Sequence, residues 1–541
     1  MKRRDFVRIG LATSVAAVAG NSGAVLPAKG GEAAGALGME LNEATVAQLQ
    51  AAMAGGKLSA RSLAAHYLKR IAEIDKAGPR LNAIIEINPD ALKIADELDR
   101  ERREKGPRGP LHGIPVLIKD NIATADRMNT TAGSLALLDI RGVRPPHDSH
   151  VAAQLRAAGA LILGKTNLSE WANMRSPRST SGWSGRGGLT LNPYALDRNC
   201  SGSSSGSAAA IAANLATLAV GSETDGSIVS PASICGLVGI KPTLGVVSRN
   251  GIIPIAHSQD TAGPMARTVT DAAILLNALA GIDERDAVTK ESAGKVPDYL
   301  KYLDKDGLKG ARIGVARNFF GNNDEVDTVI ERALLVLKAQ GAILIDPLEI
   351  PNIAKYPDSE MDVLLYEFKA DLQAYLAEFA PGSAIATMAD VIAFNAKNHD
   401  RELQFFGQEF LQKAEAKGGL DSKEYLDALA NNHRYARDEG IDQVMKEHQL
   451  DALVAPTGGP AWLTDFINGD HSGNGFSTPA AVAGYPHITV PAGMLHGLPI
   501  GLSFVGGAYA EPTLIRLAYA YEQATRLRQV PSYPRSVNLK A

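Results

Sequence analysis

The period of the hydrophobic pattern changes along the chain, and the changes mark the elements. Apolar positions at helical spacing cover residues 43–53 and 59–77. In the second run Leu63, Tyr67, Leu68 and Ile71 share one face, and Ser59 is the predicted N-cap. Residues 83–87 predict a strand, and 89–105 a charged, exposed helix stopped by Gly106 and Pro107. A turn from Gly109 to Pro115 then feeds Val116-Leu117-Ile118-Lys119-Asp120-Asn121, apolar on both faces until its last residues. Such a strand is one buried between helix layers, so Lys119 at its end is predicted to be at least partly buried. Helix 151–158, strand 161–163, helix 208–214 and strand 217–221 continue the alternation. It restarts after Lys309 with strand 313–316, helix 326–340 and strand 343–345. Residues 358–448 read as mostly helical and charged, a cap on the sheet. Strands 453–455, 488–491 and 502–505 and a closing helix, 511–528, complete the pattern. Strands alternating with helices predict an α/β fold with a largely parallel sheet.

For 541 residues the length prior alone is three or four domains, at roughly 150 residues each. No short repeat and no clear linker breaks the pattern, so residues 29–541 read as one large domain with a helical insertion at about 358–448. Composition is globular, 45% hydrophobic and 21% charged, with a formal charge of −4. No basic patch with interleaved aromatics is present, which argues against a nucleic-acid partner. The two cysteines, Cys200 and Cys235, cannot form a disulfide framework in a chain this size. They read as buried thiols in preference to one disulfide.

The N-terminus reads as an address. Lys2, Arg3 and Arg4, then Asp5 and Phe6, precede an apolar run over 9–20 and small residues up to Ala28. These are the parts of a secretory signal, and the paired arginines resemble the twin-arginine type. Removal of residues 1–28 takes away Lys2, Arg3, Arg4 and Arg8 against Asp5, so −4 becomes −7. The expectation is a periplasmic or secreted protein, exported folded by the twin-arginine machinery. The run is too short for an ordinary transmembrane helix of about 20 residues, so no stable membrane anchor is expected.

Serine and glycine cluster twice, at Cys200–Ser207 and Ser222–Pro231, around an alanine-rich run. Three nearby pattern matches carry little. Gly159–Thr166 has the letters of a phosphate loop, but its middle is a hydrophobic strand rather than a loop. Gly202-Ser203-Ser204-Ser205-Gly206 has those of a nucleophile elbow, but no strand precedes it, and His257, His471 and His487 pair with no evident acid. Ser292–Lys295 lies in a polar stretch. What remains is Lys119, Ser203 and Ser227. A serine hydroxyl needs a base. A lysine serves when burial lowers its pKa, and a second serine can relay the proton. The turn Thr224-Asp225-Gly226-Ser227 offers backbone N–H groups that can converge on an oxyanion.

These motifs, in order and separation, identify the chain as resembling the amidase signature family from about residue 40 to the C-terminus. The resemblance is densest over 113–121, 164–170, 201–206, 223–231 and 236–243. It implies a large mixed β-sheet with helices on both faces and a Ser–Ser–Lys triad. Lys119 is then the general base, Ser203 the bridging serine after a cis peptide bond, and Ser227 the acyl-enzyme nucleophile. Thr224, Asp225 and Gly226 belong to the oxyanion and substrate-binding segment. Neither metal nor other cofactor is implied. The chain departs from the usual family pattern in reading Asp225-Gly226-Ser227-Ile228-Val229 where Gly-Gly-Ser-Ile-Arg is common, and Ser204-Ser205-Gly206 where Ser-Gly-Gly is common. Together with Ser258-Gln259-Asp260, this is similar to the bacterial peptide amidase branch, which implies release of ammonia from C-terminally amidated peptides. Alternatives are an amidase for small aliphatic, aryl or acyl amides, an amidotransferase subunit, or an inactive binding paralogue. Residues 171–190, with Trp171 and Trp183, and the helical region 358–448 are expected to shape the substrate pocket.

Overall fold

The computed structural model describes residues 41–138, 144–473 and 475–539. The predicted signal lies outside them. Strands β1 (Ile84–Ile87), β2 (Pro115–Lys119) and β3 (Leu161–Thr166) come first, then a short hairpin of β4 (Trp183–Ser184) and β5 (Gly188–Leu189). β6 (Leu218–Glu223), β7 (Val238–Lys241) and β8 (Thr261–Ala266) follow, then β9 (Arg312–Ala316) and β10 (Ile343–Leu348). β11 (Ala452–Pro456), β12 (His487–Leu495) and β13 (Leu498–Val505) come last. All but the hairpin form one eleven-stranded sheet in the order β1-β3-β2-β6-β8-β7-β12-β13-β11-β9-β10. Every residue of β2, β3, β6 and β11 is buried, as the two-faced apolar runs require.

The sheet is mixed, not largely parallel. β2 runs parallel to β3 and β6, and β9 parallel to β10 and β11. The strands between these two groups are antiparallel: β6–β8, β7–β8, β7–β12, β12–β13 and β13–β11. Two causes escape the periodicity. β7 and β8 contain Gly239, Gly263 and Pro264, residues that depress strand propensity. Gly263 is there because a Cβ would collide with the carbonyl oxygen of Ile240. Pro264 is tolerated because β7 pairs with β8 only at Met265 and Ala266, beyond the proline. The second cause is the β12–β13 hairpin. His496 and Gly497 both take positive φ (51° and 82°), the geometry of the two-residue turns that reverse a strand onto itself.

Between β10 and β11 the chain is helical. Its longest member, α3 (Pro357–Phe379), packs Phe368, Leu372 and Leu376 into a cluster with Trp171, Ile253 and Ile255. Two shorter helices frame the serine loops: α1 (Ser205–Ala212), buried along its whole length, and α2 (Val229–Ile234). Cys200 and Cys235 are buried free thiols. Among the described residues no helix is long and apolar enough to cross a membrane.

Candidate active site

β2 and β6 lie side by side in parallel, Ile118 opposite Val220, so Lys119 leaves the sheet beside Ser222. Lys119 is fully buried. Its Nζ lies 2.7 Å from Ser203 Oγ, 2.9 Å from Ser222 Oγ and 3.2 Å from Ser222 O. Asn121 Nδ2 donates to the same Ser222 hydroxyl at 2.9 Å. Burial pushes the Lys119 pKa down from 10.5 to about 7, against the attraction of the Asp260 and Glu223 carboxylates. Half of this lysine is therefore neutral near pH 7. A neutral amine keeps two N–H donors and one lone pair, and the three contacts around Nζ match that inventory.

The Ser203 loop is sewn to the Ser227 loop. Ser204 N donates to Ser227 O at 3.2 Å, and Ser204 Oγ to Ser222 O at 3.1 Å. The Ser201 and Ser230 hydroxyls are 2.8 Å apart, and Ser169 N donates to Ser203 O at 3.1 Å. The Gly202–Ser203 peptide bond is cis. Ser203 is fully buried and Ser227 is 7% exposed. Among the described contacts no hydrogen bond joins the Ser203 and Ser227 hydroxyls; the loops meet through the Ser204–Ser227 backbone bond and the Ser201–Ser230 hydroxyl pair.

The turn carrying Ser227 is held from both ends. Glu223 Oε2 accepts from the amides of Ile228 (2.7 Å) and Val229 (3.0 Å), which caps the start of α2. On the other side Thr224 Oγ1 donates to Asp260 Oδ1. Asp260 Oδ2 accepts from the amides of Ile255 (2.8 Å) and Ala256 (3.0 Å). Gly226 takes φ +76°, a left-handed geometry that suits glycine. With amides 228 and 229 occupied by Glu223, those of Asp225, Gly226 and Ser227 have no acceptor among the described residues. Neighbouring unsatisfied N–H groups in such a turn can receive an anionic oxygen. A cavity of about 200 Å³ opens beside the turn, with Gly202, Asp225, Gly226, Trp462, Asp470 and Ser472 in its walls.

All three chemical candidates and the segment 224–226 thus gather at one place. The tryptophans expected in the pocket do not line it. Trp171 and Trp183 are 1% and 2% exposed. Trp183 meets Phe405 and Phe406 edge-on, with the Arg175 guanidinium 5.0 Å from its ring, so these rings bind the loop to the helical region. The cavity's tryptophan is Trp462. Sequence reasoning assigns no role to Ser222, Asn121, Glu223 or Asp260, although Asn121, Glu223 and Asp260 are letters of the family motifs and Ser222 opens the second serine cluster. The decoys are structural. Lys165 is buried and donates to Ile122 O and, at 2.9 Å, to Thr130 Oγ1. His257 does face acids, with Nδ1 2.9 Å from Asp371 and Nε2 3.5 Å from Glu367. That trio has the donor types of a metal site. Its carboxylates already accept the amides of His257 and Ser258 and the Tyr425 hydroxyl, so it is a set of internal contacts between the loop and α3.

Residues 63–515 match the amidase family, and the chain belongs to that family. It is an amidase-type hydrolase by fold and lineage. Among solved structures it is similar to the native peptide amidase of Stenotrophomonas maltophilia, at 52% identity. That match covers 91% of this chain and 99% of that one, with a TM-score of 0.86. Among curated sequences it is 42% identical over 503 residues to a probable amidase of Arabidopsis thaliana, covering 91% of this chain and 92% of that protein. It is 35% identical to a glutamyl-tRNA(Gln) amidotransferase subunit of Halorhodospira halophila, over 91% of this chain and 99% of that one.

Proposed function

We propose that this chain hydrolyses carboxylic amides through a Ser–Ser–Lys relay and an acyl-enzyme, with C-terminally amidated peptides as substrates and ammonia as the released amine. The observation that carries the reading is the buried Lys119 Nζ, 2.7 Å from Ser203 Oγ, with its pKa brought down to about 7. Neutral Lys119 takes the Ser203 proton, and Ser203 takes the Ser227 proton. Ser227 Oγ then bonds to the amide carbon. The charge that develops on the carbonyl oxygen is received by the amides of the 224–227 turn. On collapse the C–N bond breaks, and the nitrogen leaves with a proton returned through the relay. Water, deprotonated by the same relay, cleaves the acyl-enzyme and yields the acid. The relay needs the Ser203 and Ser227 hydroxyls in contact, a closure that a bound carbonyl would bring about, since catalytic hydrogen bonds tighten in the substrate complex.

The peptide-amide choice is supported by the 52% identity to a peptide amidase. The 35% identity to an amidotransferase subunit supports a second reading, with glutamine as the amide donor and partner subunits required. The two separate on incubation of the purified chain with an amidated peptide, its free acid, small amides and glutamine, followed by ammonia release and mass. Turnover of the amidated peptide by the chain alone is expected. Turnover of glutamine alone, and only with partners added, would favour the second reading, and no turnover of any amide would end the first. The N-terminal basic pair and apolar run support export by the twin-arginine machinery to the periplasm or beyond. Substitution of Arg3 and Arg4 by lysine, with activity measured in cell fractions, tests that: export should stop.

A further inference from the structure

We propose that the cavity selects its substrates by charge: Asp225 and Asp470 admit neutral and cationic amides and turn away anionic ones. The inference rests on the amide-hydrolase reading and adds the substrate class. Asp225 stands two residues before Ser227, where the usual family pattern has glycine, so the carboxylate is a departure from that pattern at the site. Both aspartates wall the cavity, and among the described residues no lysine, arginine or histidine does.

Among the described residues no cation lies at bonding distance of either carboxylate. Asp225 Oδ2 accepts from Thr478 Oγ1 at 2.6 Å, and the Ser477 hydroxyl also bonds the group. Its Oδ1 is buried with no partner among the described residues. Asp470 accepts from Ser181 N and from Trp462 Nε1, each at 3.1 Å, and from the Ser181 hydroxyl. These donors are neutral, so they hold each carboxylate in place and leave its charge in the cavity. The cations around the site are engaged elsewhere. Arg178 pairs with Glu409, and Arg198 faces Asp197 and Ala461 O. His471, beside Asp470, lies within 3.8 Å of Asp465. Lys241 is buried against Glu223 and Glu511 as well as Asp225. Burial raises the pKa of both Asp225 and Glu360, its acidic neighbour. Glu360 is raised well above the usual range, while the Ser477 and Thr478 hydroxyls and Lys241 act against the rise at Asp225.

The consequence reaches the product. Hydrolysis turns a neutral carboxamide into a carboxylate in the same place, beside Asp225. Like charges this close in a partly desolvated site repel strongly, so the acid is expelled where the amide was accepted. Discrimination by a built-in repulsive group is a common route to specificity.

The test uses the full chain and three acetylated dipeptide amides ending in Ala-NH2, Lys-NH2 or Asp-NH2. At low salt kcat/KM for the Asp amide should fall at least about tenfold below that for the Ala amide, with the Lys amide no worse than Ala. The gap should shrink as ionic strength rises. Asp225→Asn and Asp470→Asn should each narrow it, and Asp225→Asn should strengthen inhibition by the free-acid product. If the Ala amide is not turned over, the function reading fails. If it is turned over and the Asp amide is its equal at low salt, charge selection alone fails. The salt series on the unaltered protein decides the matter even where a variant does not fold.

Discussion

The sharpest expectation concerns the proton on Lys119. An exposed lysine with a pKa of about 10.4 is neutral in roughly one molecule in 2500 at pH 7. Burial brings Lys119 to about 7, so about half is neutral there, a gain in base of roughly a thousandfold. The limb of a pH profile follows. With that value roughly 90% is neutral at pH 8 and roughly 10% at pH 6. Measured on a neutral primary amide between pH 5 and 9 at constant ionic strength, kcat/KM should rise about tenfold per unit and level off just above 7. Two substitutions make the assignment specific. Asp260 is the foremost carboxylate holding the Lys119 pKa up, so Asp260→Asn should move the midpoint to lower pH, whatever it costs in rate through the lost Thr224 contact. Lys119→Arg keeps the charge but cannot lose its proton, and should abolish turnover across the whole range. A profile flat from pH 5 to 8, a midpoint near the ordinary carboxylate value, or an upward shift in Asp260→Asn would refute the reasoning.

Other consequences are independent of that limb. Glu223→Gln weakens the cap on the amides of Ile228 and Val229; kcat should drop about tenfold or more while KM changes less, since the turn is needed most when the oxyanion forms. Arg175, fully buried, pairs with Glu170 at 2.6 Å and faces Glu402 at 3.8 Å. Arg175→Met leaves those carboxyls without their cation and should lower unfolding free energy by about 3–5 kcal/mol in a urea titration. Gly206 sits where a Cβ would collide with the carbonyl oxygens of Ala83 and Asn167. Gly206→Ala should therefore displace the start of α1 and lose both soluble yield and activity, whereas Ala209→Ser on the same helix should cost far less.

How much of this is legible in the sequence depends on what each feature leaves in the chain. The alternation of buried strand and helix is visible because β2, β3 and β6 bury both faces, and a Lys119 at the end of such a strand announces itself by contrast. The serine loops are visible because glycine and serine mark close backbone approach. β7 and β8 are not, since Gly239, Gly263 and Pro264 serve the spacing and end of a ladder rather than a hydrophobic face. Strand direction is lost with them, because a two-residue turn at His496 and Gly497 has no helical crossover to count. Trp171 and Trp183 look like pocket walls because a loop aromatic gives no sign of which way it packs. Ser222 holds Lys119 from the neighbouring strand, a contact spanning 103 residues that no local pattern records. The Asp260 clamp on Thr224 is hidden in the same way, by a sequence separation of 36.

The central claim is that Ser227, not Ser203, carries the acyl group, with Ser203 as the bridge to Lys119. The direct measurement is an acid quench during steady-state turnover of an activated ester of the acetyl dipeptide, followed by intact mass and peptide mapping. The account predicts one acyl adduct on Ser227, absent in Ser227→Ala, with accumulation slowed but still on Ser227 in Ser203→Ala. An adduct on Ser203, or full turnover in Ser227→Ala, would contradict it.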